Sequence, residues 1–144
     1  MARETVEGLS VDAANGLLAR LFAPWVLDLN LSVEGCTPDE VRMRMAFDRK
    51  LCRVGGAISG QALMALADTC MVITVSAALG GFRDMATAGQ NTSFFRPAVE
   101  RDVIARGRIL KPGRLLMFGE VVLYAEGDDR PVAHVTSTYA LPPE

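Results

Sequence analysis

The distribution of apolar and polar positions divides the chain into segments of two periods. Residues 12–22 (DAANGLLARLF) have a helix-forming composition with apolar positions at Leu17, Leu18, Leu21 and Phe22. Ser10 or Asp12 is positioned to cap this helix. From Trp25 to Val33 the period becomes two. Trp25, Leu27, Leu29, Leu31 and Val33 are apolar, with Asp28, Asn30 and Ser32 between the later ones. This predicts a half-buried strand over 25–33. Residues 35–40 (GCTPDE) supply turn formers, after which Val41, Met43, Met45 and Phe47 alternate with Arg42 and Arg44. The two alternating runs predict an antiparallel hairpin.

A loop with adjacent glycines, 48–58, leads to the most unusual segment, 59–79 (SGQALMALADTCMVITVSAAL). It has no Lys, Arg or Glu and one acid, Asp68. Ser59 is a good N-cap, and Gly80-Gly81 ends the run. A helix of about 20 residues is about 30 Å long, long enough to span a bilayer. An Asp at its centre, Thr69, Thr74 and Ser76, and the lack of flanking basic clusters argue instead for a helix buried in protein on nearly all sides. The remainder alternates as strands over 85–95, 103–110, 115–126 and 132–141, read as a four-stranded meander. Pro112-Gly113 and the Gly127–Arg130 segment turn the chain. On the last strand Ala133, Val135 and Tyr139 share one face, and His134, Thr136 and Thr138 share the other. The expected architecture is α+β, an antiparallel sheet around one long central helix at about 60–79, with residues 1–144 as a single domain.

Composition narrows the function. The net charge of −2 argues against a nucleic-acid partner. A lone histidine excludes zinc sites that need two or three, so no metal is expected. Cys36, Cys52 and Cys70 are odd in number and have no C-x-x-C spacing, which fits a reducing compartment. The N-terminal stretch lacks a basic-then-apolar signal, so a cytoplasmic location is expected. Thirteen of the fifteen basic residues are Arg. This is either codon bias or a use of guanidinium forks on carboxylate or phosphate.

Asp68 carries the chemical interest. An ionised carboxylate among apolar neighbours must be partnered, neutral or facing a polar cavity. It is therefore either a structural acid or a reactive one. The helix start at Ser59-Gly60-Gln61 offers free N–H groups at a positive dipole end, and these can polarise a carbonyl oxygen. Asp68 lies about two and a half turns further on, so both can serve one site only if a strand or a second subunit roofs the helix. His134, far from Asp68 in sequence, reads more simply as a structural strand residue. Cys70 reads as a small buried hydrophobe without a His partner.

Residues 58–70 (ISGQALMALADTC) resemble the L-H-G-G-x-x-x-x-L-x-D signature of hotdog-fold thioesterases, nearest the phenylacetate-degradation (PaaI-like) type. Residues 91–98 (NTSFFRPA) resemble that group's N-x-x-F-x-R-P-A strand ending. GRILKPGRLLMFGEVVLY and RPVAHVTSTYAL resemble its last strands, and the likeness spans roughly residues 24–141. It implies a five- or six-stranded sheet wrapped around one helix, edge-to-edge dimers or dimers of dimers, and hydrolysis of acyl-CoA thioesters with no further cofactor. Asp68 matches the family's nucleophile or general base. Gly60 matches the glycine whose N–H meets the thioester carbonyl. Thr87 matches a water-positioning hydroxyl contributed by the other subunit, and Gln61 is a further polar group of the site. The chain departs from the signature at Ser59 (for His), Gln61 (for Gly) and Arg53 (for Asn). Ser59, Arg53, Arg96, Lys111 and Arg114 are candidates for substrate contact, the basic ones towards CoA phosphates. The alternative is an acyl-CoA-binding protein of this fold without turnover; a hydratase is disfavoured because no histidine precedes residue 134.

Overall fold

The computed structural model describes residues 8–143. Helix α1 spans Val11–Leu21 and is capped by Ser10, whose hydroxyl accepts the Ala13 N–H. The Asn15 side chain ties α1 to the first strand by bonding both the N–H and the carbonyl of Val33. The strand expected from residue 25 is not there. Pro24–Leu27 form a short helix, α2, and β1 begins at Leu31 (Leu31–Cys36). Pro24 presets the first-turn φ of α2. Val26 and Leu29, three apart, are buried while Trp25 is 61% exposed, so this stretch follows a helical period and not the apparent alternation. Asn30 then takes φ 55°, the left-handed conformation that Asn tolerates, and redirects the chain into β1.

β1 pairs with β2 (Val41–Met45) as the predicted antiparallel hairpin. The loop that follows contains a 3₁₀ turn at Arg49–Leu51. Helix α3 then runs Gly60–Leu79. Its N-cap is Ser59, and it ends at Gly80, whose φ of 80° only glycine adopts freely. Strands β3 (Ala86–Phe94), β4 (Val103–Lys111), β5 (Leu116–Ala125) and β6 (Pro131–Ala140) complete one six-stranded antiparallel sheet in the order β1-β2-β4-β5-β6-β3. Only β4, β5 and β6 form the expected meander. β3 crosses to the far edge and pairs with β6. Its small, polar sequence, ATAGQNTSF, buries too little apolar surface for a central place.

The sheet curls around α3, and the apolar helix is a core element. By length and composition it could cross a membrane, but 67% of its most apolar window is buried inside the protein. Val41, Met43, Met45, Val103, Ala105, Val121, Leu123, Val135 and Tyr139 face it from the sheet. Two glycines let it approach closely. A Cβ on Gly107 of β4 would overlap Thr74 Oγ1 and lie 3.1 Å from Cys70 Sγ, and one on Gly119 of β5 would lie 2.6 Å from Met71 Sδ. The Thr74 hydroxyl cannot swing aside cheaply, because it donates to the Cys70 carbonyl at 2.7 Å. Gly107→Ala is therefore expected to destabilise the fold by about 1–3 kcal/mol through overpacking. Urea unfolding at equilibrium checks this, with a lowered midpoint and an unchanged slope as the signature.

Candidate functional site

Asp68 projects from the middle of α3 towards the β3–β6 edge and is half-buried. Two hydroxyls meet the same carboxylate oxygen. Thr87 Oγ1 of β3 donates to Asp68 Oδ1 at 3.0 Å, and the Tyr139 phenol of β6 makes a short hydrogen bond to that atom. The Tyr139 hydroxyl also lies 2.9 Å from the Asp68 main-chain carbonyl. Among the described residues Oδ2 has no protein donor, so one carboxylate oxygen is fixed and the other is open.

Strand register explains how two separate segments converge on one atom. Tyr139 and Thr87 are cross-strand partners, and Tyr139 also pairs with Met117 of β5. Strict alternation from Phe94, Thr92 and Gln90 would turn Ala88, not Thr87, to the helix. A bulge between Thr87 and Gly89 changes the phase and brings the Thr87 hydroxyl in. Further along, Gln90 Nε2 donates to the Met64 carbonyl at 3.2 Å and fastens the edge strand to α3. Tyr139 is 1% exposed. Burial first, and then its hydrogen bond to Asp68, holds the phenol above its usual range, so it remains a proton donor through neutral pH. Burial pushes the neighbouring Cys70 thiol up to about 12, so it is neutral.

The start of α3 forms a second cluster. Ser59 Oγ accepts the Ala62 N–H at 3.2 Å, whereas Gly60 and Gln61 keep their N–H groups free among the described residues. The Phe94 ring lies over Gly60, 3.3 Å from where its Cβ would be. Eight residues separate Gly60 from Asp68, about 12 Å of helix.

Residues 55–132 match the family model of the thioesterase superfamily. The chain belongs to that superfamily. Its fold is the hotdog: one central helix held in a curled antiparallel sheet. Among solved structures, a candidate thioesterase from Silicibacter sp. TM1040 is 32% identical, with 96% of each chain covered and a TM-score of 0.85. A thioesterase from Haemophilus influenzae shares the fold at 18% identity (95% of this chain, 93% of that one, TM-score 0.84). Zebrafish thioesterase superfamily member 2 shares it at 21% identity (93% and 99%, TM-score 0.82). No curated protein sequence matches the chain.

The other candidate residues of this thioesterase-superfamily chain have the following settings in the fold. The family resemblance implies a hydroxyl, matched by Thr87, that comes to Asp68 from a second subunit. It reaches Asp68 within its own chain, because β3 lies alongside the helix it follows. The Ser59 hydroxyl is engaged in capping. Arg53, on the exposed loop before α3, bonds the Val54 carbonyl at 3.0 Å. Arg96 bonds the Pro131 carbonyl. Lys111 is exposed at the end of β4. Arg114 lines a cavity of about 500 Å³ with Arg83, Leu115 and Pro143, at the same end of the sheet as Tyr139. His134 lies on the outer sheet face, bonded to Glu120 at 2.8 Å, and has no part in the Asp68 cluster. That hydrogen bond is the main reason the Glu120 carboxyl stays below its usual range. Among the described residues no cluster of His, Cys, Asp or Glu could hold a metal ion.

Tyr139 and Gln90 escaped the sequence reading. Alternation puts Tyr139 on one face of β6 with Ala133 and Val135, the face that the structure buries, but does not link its hydroxyl to Asp68. A signal was available: a buried Tyr needs a partner for its O–H, and the one acid in an apolar helix needs a donor. Because the Ser59 hydroxyl is a helix cap here, Ser59→Ala is expected to cost about 1 kcal/mol of stability. Thermal unfolding of the variant checks this.

Proposed function

We propose that this protein is an acyl-CoA thioesterase, hydrolysing an acyl- or aryl-CoA to the free acid and CoA. One observation carries the reading: the only acid of an apolar core helix has one oxygen held by two hydroxyls and the other open at the sheet edge. Asp68 Oδ2 takes a proton from water as the water oxygen adds to the thioester carbonyl carbon. The C–S bond then breaks, and the thiolate leaves with the proton returned from Asp68. In the variant route Oδ2 itself attacks the carbonyl carbon, the C–S bond breaks to release CoA thiolate, and water then hydrolyses the resulting anhydride to the free acid and the Asp68 carboxylate.

The carbonyl oxygen needs a donor as it gains charge. The Gly60 N–H suits this role, with Gln61 beside it as a polar group. It cannot serve the Asp68 of its own chain across about 12 Å of helix. A complete site therefore pairs Asp68, Thr87 and Tyr139 of one subunit with the start of α3 in a second copy. β3, a sheet edge beside Asp68, is the strand that a second copy would extend, giving a homodimer or a dimer of such dimers. Met64, Phe94 and Phe95 are exposed on this flank and suit an acyl pocket closed by the partner. Arg114 and Lys111 suit the CoA phosphates. The substrate is a small molecule, and no cofactor, nucleic acid or membrane enters the scheme.

A second reading rests on Ser59, Gln61 and Arg53, which replace the signature's His, Gly and Asn. It is acyl-CoA binding without hydrolysis.

A panel of acyl-CoAs assayed for free thiol decides between them. Hydrolysis is expected, with Asp68→Asn lowering kcat by about 10²-fold or more. Tight binding by calorimetry without thiol release would select the binding protein. Light scattering at micromolar concentration is expected to give a dimer, and a fully active monomer would overturn the shared site.

A further inference from the structure

We propose that Tyr139 is a positioning residue of this site: its phenol locks Asp68 Oδ1 and thereby aims Oδ2 at the reacting carbon or its water. This rests on the thioesterase reading above and adds a residue that the signature of the superfamily did not supply.

The argument is geometric. Thr87 alone gives Oδ1 one hydrogen bond, from an exposed edge strand, and a carboxylate held by a single bond can still rotate about it. Tyr139 supplies a second bond to the same oxygen from a different strand. Its ring is 1% exposed in the core, so the donor has no freedom to follow a turning carboxylate. The same hydroxyl lies 2.9 Å from the Asp68 main-chain carbonyl, so both acceptors within reach of its one proton belong to Asp68. Precise placement of a reacting group accounts for large rate effects.

The surrounding groups leave the hydrogen bond unopposed. From β6 the facing titratable group is Tyr139 itself. From α3 it is the Cys70 thiol, neutral because burial raises it. Thr87 from β3 does not titrate. No Lys, Arg, His, Asp or Glu side chain bonds Asp68 among the described residues.

Tyr139→Phe keeps the ring and deletes only the donor. It is expected to lower kcat about tenfold with KM within twofold, the loss of one hydrogen bond to a charged group. A spectroscopic arm needs no turnover. The chain has two tyrosines, so 3-fluorotyrosine incorporated in a Tyr124→Phe background labels position 139 alone. Its ¹⁹F resonance should shift in Asp68→Asn, which reports the phenol–carboxylate hydrogen bond itself. This arm decides the matter if Tyr139→Phe does not fold. An inactive Asp68→Asn together with an unchanged kcat in Tyr139→Phe, or a ¹⁹F resonance that Asp68→Asn leaves unmoved, overturns the positioning role and leaves the thioesterase reading standing. Undiminished hydrolysis by Asp68→Asn overturns both.

Discussion

The structure depends on the burial of one helix. α3 is apolar around nearly its whole circumference, so it cannot lie on a surface as an amphipathic helix does. It must be enclosed, and the curled six-stranded sheet together with α1 encloses it. Burying a Leu, Ile, Val or Met side chain is worth about 1.5–3 kcal/mol, and α3 contributes Leu63, Leu66, Met71, Ile73 and Val75 to the core. The glycines at 107 and 119 follow from this enclosure.

The same constraint gives Asp68 its setting. A carboxylate in such a helix is tolerable only where the enclosure is incomplete. It sits at the β3 edge, with two hydroxyls on one oxygen and space beside the other. Packing and the accessibility of the acid are thus linked. The sheet edge that leaves α3 uncovered on one flank is also the place where a substrate could reach an acid. Ordered hydroxyl donors aimed at that acid are an arrangement the fold sets in place before any ligand arrives, the condition under which fixed dipoles act most strongly.

Much of this was legible from period and punctuation. The long helix, its cap and stop, the first hairpin and the last three strands follow from alternation, Ser59, Gly80 and the Pro-Gly turn. The misread segments have identifiable causes. Residues 25–29 mimic alternation, but Pro24 starts a helical turn there, and local backbone chemistry overrides a short period-two pattern. The edge position of β3 is a matter of long-range pairing, which alternation does not encode. Asp68 stood out because a charge in an apolar run is costly. Tyr139, about seventy positions away, did not stand out, because its ring belongs to the core pattern and only its hydroxyl belongs to the site. The phase change at Ala88, which turns Thr87 inward, adds no distinctive residue to the sequence at all.

β3 has one further consequence. Its unpaired backbone N–H and C=O groups form a template onto which another extended chain could add. A strand rich in Val and Ile at that position would invite indiscriminate association. Ala, Thr, Gly, Gln, Asn and Ser occupy most of it instead, so little apolar surface rewards a mismatched neighbour. Solubility of the newly made chain and selectivity for a well-fitting neighbour then depend on the same nine residues.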